Sequence, residues 1–151
     1  MAQPWKKGRG KLGVMAPLLG RWKADADTPM GPVRCIRDLQ KFGDGYVRLE
    51  AEWTFGGKGA EQTYRELCLF GPDKDGILTF WSYTNDGKKS SGKLTAASDI
   101  HPDAVCFEAQ MDAGLARQIY WPDQKSGIRW AVESRTKKGW NRFTEHHYRG
   151  D

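Results

Sequence analysis

The sequence predicts an all-β protein: a closed antiparallel up-and-down β-barrel of about ten strands with a short N-terminal helical plug. Three observations carry this. Ten stretches with a hydrophobic period of two follow one another from residue 22 to residue 149, each cut off by Gly, Pro, Asp or Asn. The connections are short, so sequential stretches are expected to pair as neighbours. An open sheet of this size would expose two edges and one broad apolar face, and closure removes both.

In chain order, residues 12–19 suit one or two helical turns, with Pro17 early and Gly20 just past the end. So short a helix needs an apolar surface to lean on. Then the period changes. In strand one, residues 22–27, Trp22, Ala24 and Ala26 alternate with Lys23, Asp25 and Asp27. Thr28-Pro29-Met30-Gly31-Pro32 breaks the chain before strand two at 33–42, and Gly43-Asp44-Gly45 is a hairpin turn. Strand three, 46–55, is the clearest, with Val47, Leu49, Ala51, Trp53 and Phe55 on one face. Gly56-Gly57-Lys58-Gly59 turns it into strand four at 62–70, and a 71–76 loop leads to strand five at 77–84. Strand six, 89–97, holds Ser90-Ser91-Gly92, where the glycine suits a bend or bulge. Strands seven to ten fall at 104–111, 115–121, 128–135 and 140–149, and Ile128, Trp130 and Val132 face in on the ninth.

The 151 residues bound one domain, read as a basic, disordered tail at 1–11 followed by a single barrel domain at 12–151. Lys6, Lys7, Arg9 and Lys11 contribute to the net charge of +5. Such a tail reads as a solvated start, and nucleic acid is not expected as the main partner. No apolar stretch approaches the roughly 20 residues of a membrane helix, and no signal-peptide core follows the basic start. The expectation is a cytoplasmic protein with no membrane partner. Cys35, Cys68 and Cys106 are odd in number, far apart and without CxxC or zinc-type spacing, which predicts buried free thiols and no metal site.

A plug that ends in Gly20-Arg21-Trp22 on the first strand, then a β meander, resembles the calycin group of lipocalins, fatty-acid-binding proteins and their bacterial relatives. The chain is most similar to bacterial lipocalin-like domains of unknown function. These share a Leu-x-Gly-x-Trp start, a turn like Gly71-Pro72-Asp73-Lys74-Asp75-Gly76 and an aromatic strand like Thr79-Phe80-Trp81-Ser82-Tyr83. The resemblance implies an interior pocket with no assigned chemistry. Nitrobindin-like haem proteins share the Gly-x-Trp opening and use a late-strand histidine as iron ligand, which directs attention to His146 and His147. Ala24 and Ala26 replace that family's glycines and its Tyr-Pro step is missing, so no cofactor is expected.

Polar residues on otherwise apolar faces mark the candidate site. Arg37 shares a parity with Val33, Cys35 and Leu39, and Arg117 with Leu115, Ile119 and Trp121. Pointing inward, each guanidinium needs a counter-charge, from Glu66 or from an anionic ligand. Alternatively a bulge flips the parity, or the stems snorkel and the heads stay wet. Strand ten is ambiguous: Trp140, Arg142, Thr144, His146 and Tyr148 share one face, Asn141, Phe143, Glu145 and His147 the other. The first set is similar to the Arg/Tyr pair by which fatty-acid-binding proteins hold a carboxylate. Trp22, Trp53, Phe107 and Trp130 are the expected walls.

No nucleophile elbow, zinc-protease motif or phosphate loop is present. The leading expectation is a non-enzymatic protein holding a small amphipathic or aromatic, anionic molecule in the lumen, with Arg37, Arg117 and Arg142 as clamps. An alternative is acid–base chemistry on an aromatic acid by Arg37, Glu66 and Tyr64, residue types that resemble those of phenolic acid decarboxylases. A third reading is a partner-binding module or homodimer that uses Trp81, Tyr83 and Tyr120 on an outer face.

Overall fold

The computed structural model describes residues 5–29, 31–56 and 62–151. Ten strands close into one antiparallel barrel in which each pairs with its sequence neighbours and the last returns to the first. They are β1 (Gly20–Thr28), β2 (Gly31–Phe42), β3 (Tyr46–Phe55), β4 (Gln62–Pro72), β5 (Leu78–Thr84), β6 (Lys89–Thr95), β7 (Val105–Met111), β8 (Gly114–Pro122), β9 (Ile128–Thr136) and β10 (Gly139–Gly150). The expected ten-strand meander is therefore the observed topology, with ends shifted by one or two residues. Met30 and residues 57–61, which carry parts of two expected turns, lie outside the described residues, as do residues 1–4.

The plug is a 3-10 helix, Gly13–Leu18, that places Met15 and Leu18 in the core with no exposed surface. Pro17 has no N–H to donate, which suits a short, tight helix better than a continuing α-helix. Leu19 is already extended and Gly20 has φ +127°, a value that favours glycine and lets the chain turn at once into β1. The Trp22 indole Nε1 donates to the Leu18 carbonyl at 2.8 Å, so the first strand caps the plug that precedes it. Upstream, the Trp5 ring packs on the core, its Nε1 donating to the Asp103 carbonyl at 3.2 Å, and Lys11 Nζ donates to the Gly76 carbonyl at 3.3 Å.

Side chains sort into two apolar clusters. The larger runs through the lumen, and at its plug end Phe107 stands 5.2 Å from Phe70 and 5.8 Å from Phe80, centroid to centroid. A smaller one lies on the outside of the wall: Cys106, Ile119 and Ala131 are covered by Ala97, Ile100 and Ala104 of the β6–β7 connection, with Trp121 packed beside them. That connection is more than a turn, since it makes a second layer over β7–β9. All three cysteines are buried and free, as expected.

The β5–β6 pairing runs without a bulge, and Gly92 lies opposite Phe80. The glycine serves close approach instead, because a Cβ there would run into the Phe80 ring and the Glu108 carbonyl oxygen. Gly92→Ala is expected to destabilise the protein by about 1–3 kcal/mol through overpacking, measured as a lower denaturant midpoint at unchanged m-value.

Candidate functional site

Barrel closure gives each strand an inner and an outer face, and one cross-strand row places both charged side chains of the candidate site, Arg37 and Glu66. Trp22, Arg37, Ala51, Glu66 and Thr84 lie opposite one another on β1 to β5. Arg37 is 1% exposed. Its Nη2 donates to the Tyr120 hydroxyl at 2.6 Å, and its Cζ stands 4.7 Å from the Trp130 ring centroid, 5.4 Å from that of Tyr120 and 6.0 Å from that of Tyr148. The buried Nε has no hydrogen-bond partner. Among the described residues no carboxylate lies within 4.0 Å of this guanidinium.

Burial works against the Arg37 charge, but Tyr120, Tyr148 and Glu66 outweigh it, and the pKa rises above the ordinary arginine value. The two phenols do not supply a counter-charge at neutral pH. Burial pushes Tyr120 up to about 12, and it raises Tyr148 as well, despite the nearby Arg37. Glu66 lies on the same inner row as Arg37, two strands away and half-buried, and accepts a hydrogen bond from the Ser82 hydroxyl. A buried cation thus sits among aromatic rings and phenols, with its nearest opposite charge held elsewhere.

Of the adjacent histidines, His146 points in and His147 out. The His146 imidazole lies 5.1 Å from Trp53 and 5.3 Å from Trp130, centroid to centroid, with Nδ1 3.3 Å from the Tyr148 hydroxyl. Burial, then the Arg37 charge, lowers its pKa to about 4, so the ring is neutral at pH 7. His147 Nε2 donates to the Ser126 carbonyl at 2.8 Å on the outer side. The imidazole that the haem alternative singles out packs against the Trp53 and Trp130 rings.

Two of the three arginine clamps expected from the sequence are on the outside wall. Gln118 pairs with Phe107 and Tyr120 with Val105, which puts Ala116, Gln118 and Tyr120 inside and Arg117, Ile119 and Trp121 outside. Tyr120, expected on an outer face, is in fact fully buried in the lumen. In β10 a bulge between Arg142 and Thr144 reverses the parity, so Trp140 and Arg142 face out while Thr144, His146 and Tyr148 face in. Both arginines converge on Glu133, which is 4% exposed: Arg117 Nε donates to Oε1 at 2.7 Å and Arg142 Nε to Oε2 at 2.9 Å. Arg117 also clasps Asp99 at 2.7 Å, tying the β6–β7 connection to the wall, and stacks 4.3 Å from the Trp140 ring. These arginines have their counter-ions and build the wall.

The structure therefore brings together Arg37, Glu66, His146, Tyr148, Trp53 and Trp130. Trp22 lines the plug end, Phe107 belongs to the apolar filling there, and Arg117 and Arg142 are elsewhere. Sequence reasoning missed Tyr120 as a lumen residue, Gln118, whose Oε1 accepts from Trp130 Nε1 at 3.3 Å, and Ser82. Alternation along 77–84 was a usable signal for Ser82, because Phe80, Ser82 and Thr84 share one parity. Inward-facing Trp53, Glu66 and Val132 keep partial exposure and Tyr64 is 38% exposed, so the lumen opens at the end away from the plug.

No family profile matches the chain, and no curated protein matches it. A closed ten-strand antiparallel barrel is consistent with a calycin-like fold. Among the described residues no helix is long and apolar enough to cross a membrane, and no group of three or more His, Cys, Asp or Glu is placed to hold a metal.

Two outcomes follow from this arrangement. Glu133→Gln leaves two guanidiniums without their shared carboxylate and should cost about 3 kcal/mol. Arg142→Met, whose head group reaches solvent, should cost less than about 1 kcal/mol; denaturant titration of both variants compares them. His146 is neutral in the folded protein, whereas the unfolded chain binds its proton below about pH 6.5. Stability should therefore fall as pH drops from about 6.5 towards 4, by about 3 kcal/mol for this one group. Urea titrations across that range should show a flatter slope in His146→Gln.

Proposed function

We propose that this chain is a non-enzymatic, lipocalin-like binding protein of the bacterial type, which holds a small amphipathic or aromatic molecule with an anionic group in the barrel lumen. Arg37 carries the reading. A guanidinium removed from water costs several kcal/mol unless a charge answers it, and a desolvated ring contact returns about 2 kcal/mol of that without supplying an acceptor for an N–H. Here the groups within reach are phenols, with Tyr120 accepting from Nη2 at 2.6 Å, and Nε is left as a donor with no acceptor. A ligand carboxylate or similar group supplies both the charge and the acceptor. In this reading Trp53 and Trp130 bear the apolar part of the molecule, and the partial exposure of Trp53 and Glu66 supports entry from that end. The three free thiols suit a reducing compartment, in keeping with a cytoplasmic site of action.

Native and denaturing mass spectra of freshly purified protein test this, beside Arg37→Met, which keeps the bulk and drops the charge. Excess mass is expected in the native wild-type spectrum and not in the variant. A folded Arg37→Met that carries the same mass as the wild type would remove the arginine anchor.

A further inference from the structure

Resting on the reading above, we infer that the lumen is built for a zwitterion: a molecule with an acid group for Arg37 and a protonated amine for Glu66, joined by an apolar or aromatic body. Arg37 and Glu66 occupy the same cross-strand row on β2 and β4, with Ala51 of β3 between them. Neighbouring strands are about 4.8 Å apart, so the two charged side chains spring from backbone positions about 10 Å apart across the wall. They act on each other electrostatically, but among the described residues they form no ion pair. Ala51 between them contributes only a methyl group.

The chemistry of the two ends differs in a matching way. Arg37 is deep and dry, stacked on Trp130. Glu66 is half-buried on the mouth side, and its carboxylate is held towards the lumen by Ser82. On the same face of β4 and the adjoining position of β3, Tyr64 and Trp53 meet edge to face at 6.4 Å. Those rings add attraction for an ammonium group lying beside Glu66. A simple monoanion gains Arg37 but meets the field of Glu66. A simple amine gains Glu66 but meets Arg37. Only a ligand with both groups, set apart by a spacer such as a benzene ring, satisfies both charges at once. By contrast, the dense charge cluster on the outer wall pairs its members internally, around Glu133.

The test uses three para-substituted benzenes of nearly equal size, titrated calorimetrically into the full-length protein at neutral pH: 4-(aminomethyl)benzoate, 4-methylbenzoate and 4-methylbenzylamine. The zwitterion should bind at least tenfold more tightly than either singly charged probe. Glu66→Gln, which keeps an oxygen to accept from Ser82, should bring the zwitterion down to the level of 4-methylbenzoate, with circular dichroism checking the fold. If 4-methylbenzoate binds the wild type as tightly as the zwitterion, or if Glu66→Gln leaves the preference intact, the inference is overturned while the anion site stands. Tightest binding by 4-methylbenzylamine overturns the inference and the Arg37 anchor together. Binding by none of the three overturns the inference, and the mass spectra then decide the anion site independently.

Discussion

The pairing of β1 with β10 is the constraint on which the rest of the molecule depends. It is the shortest seam of the barrel, with Trp22 opposite Gly150 and Lys23 opposite Arg149. Asp151 reinforces it: its N–H donates to the Arg21 carbonyl at 2.9 Å, and its carboxylate pairs with Arg21 at 2.7 Å and Lys23 at 3.6 Å. Without this seam both terminal strands would present unpaired N–H and C=O groups, and the wall would have no inside. Closure turns an alternation of side chains into a lumen and an exterior. The dryness of Arg37 is a consequence of it.

The lumen is graded along its axis. At the plug end Met15, Leu18, Phe70, Phe80 and Phe107 make an ordinary dry core, and the 3-10 helix seals it. Midway the polar groups begin, with Arg37, the two phenols and His146, and beyond them Trp53, Tyr64 and Glu66 reach the mouth. The gradient places the cation deep enough to be desolvated, yet next to the less covered end of the barrel. Arg117 shows the opposite solution to the same problem. It is nearly as buried, but Glu133 and Asp99 answer its charge within hydrogen-bond distance, so it stabilises the wall and seeks no further partner.

How much of the site could be read beforehand differed from strand to strand. In β2 and β3 one parity is plainly apolar, with Val33, Cys35 and Leu39 or Val47, Leu49 and Ala51, so alternation pointed Trp53 inward and offered the same direction for Arg37, which the unbroken β1–β2–β3 register then decided. In β8 both faces are apolar enough to be buried, Leu115, Ile119 and Trp121 on one and Ala116 and Tyr120 on the other. The β6–β7 connection buries the outer one. Alternation then cannot name the inside, and Arg117 and Tyr120 exchange places relative to expectation. In β10 the alternation is locally broken, because the bulge at Phe143 adds a residue and reverses the sense between Arg142 and Thr144.

By itself, the sequence determined the number and order of the strands, the plug before Trp22 and the free thiols. These follow from local signals: a period of two, turn residues at regular intervals, and a helix-stopping glycine. Only the tertiary structure decided which charges lack partners. Whether an arginine on a strand is a wall residue or an anchor depends on what lies across the barrel or over its outer face, and those neighbours are many residues away along the chain: Tyr120 for Arg37, and Glu133 and Asp99 for Arg117. Hydrophobic period reports a residue's own preference for water. The balance of buried charge depends on distances between strands, and those exist only once the barrel has closed.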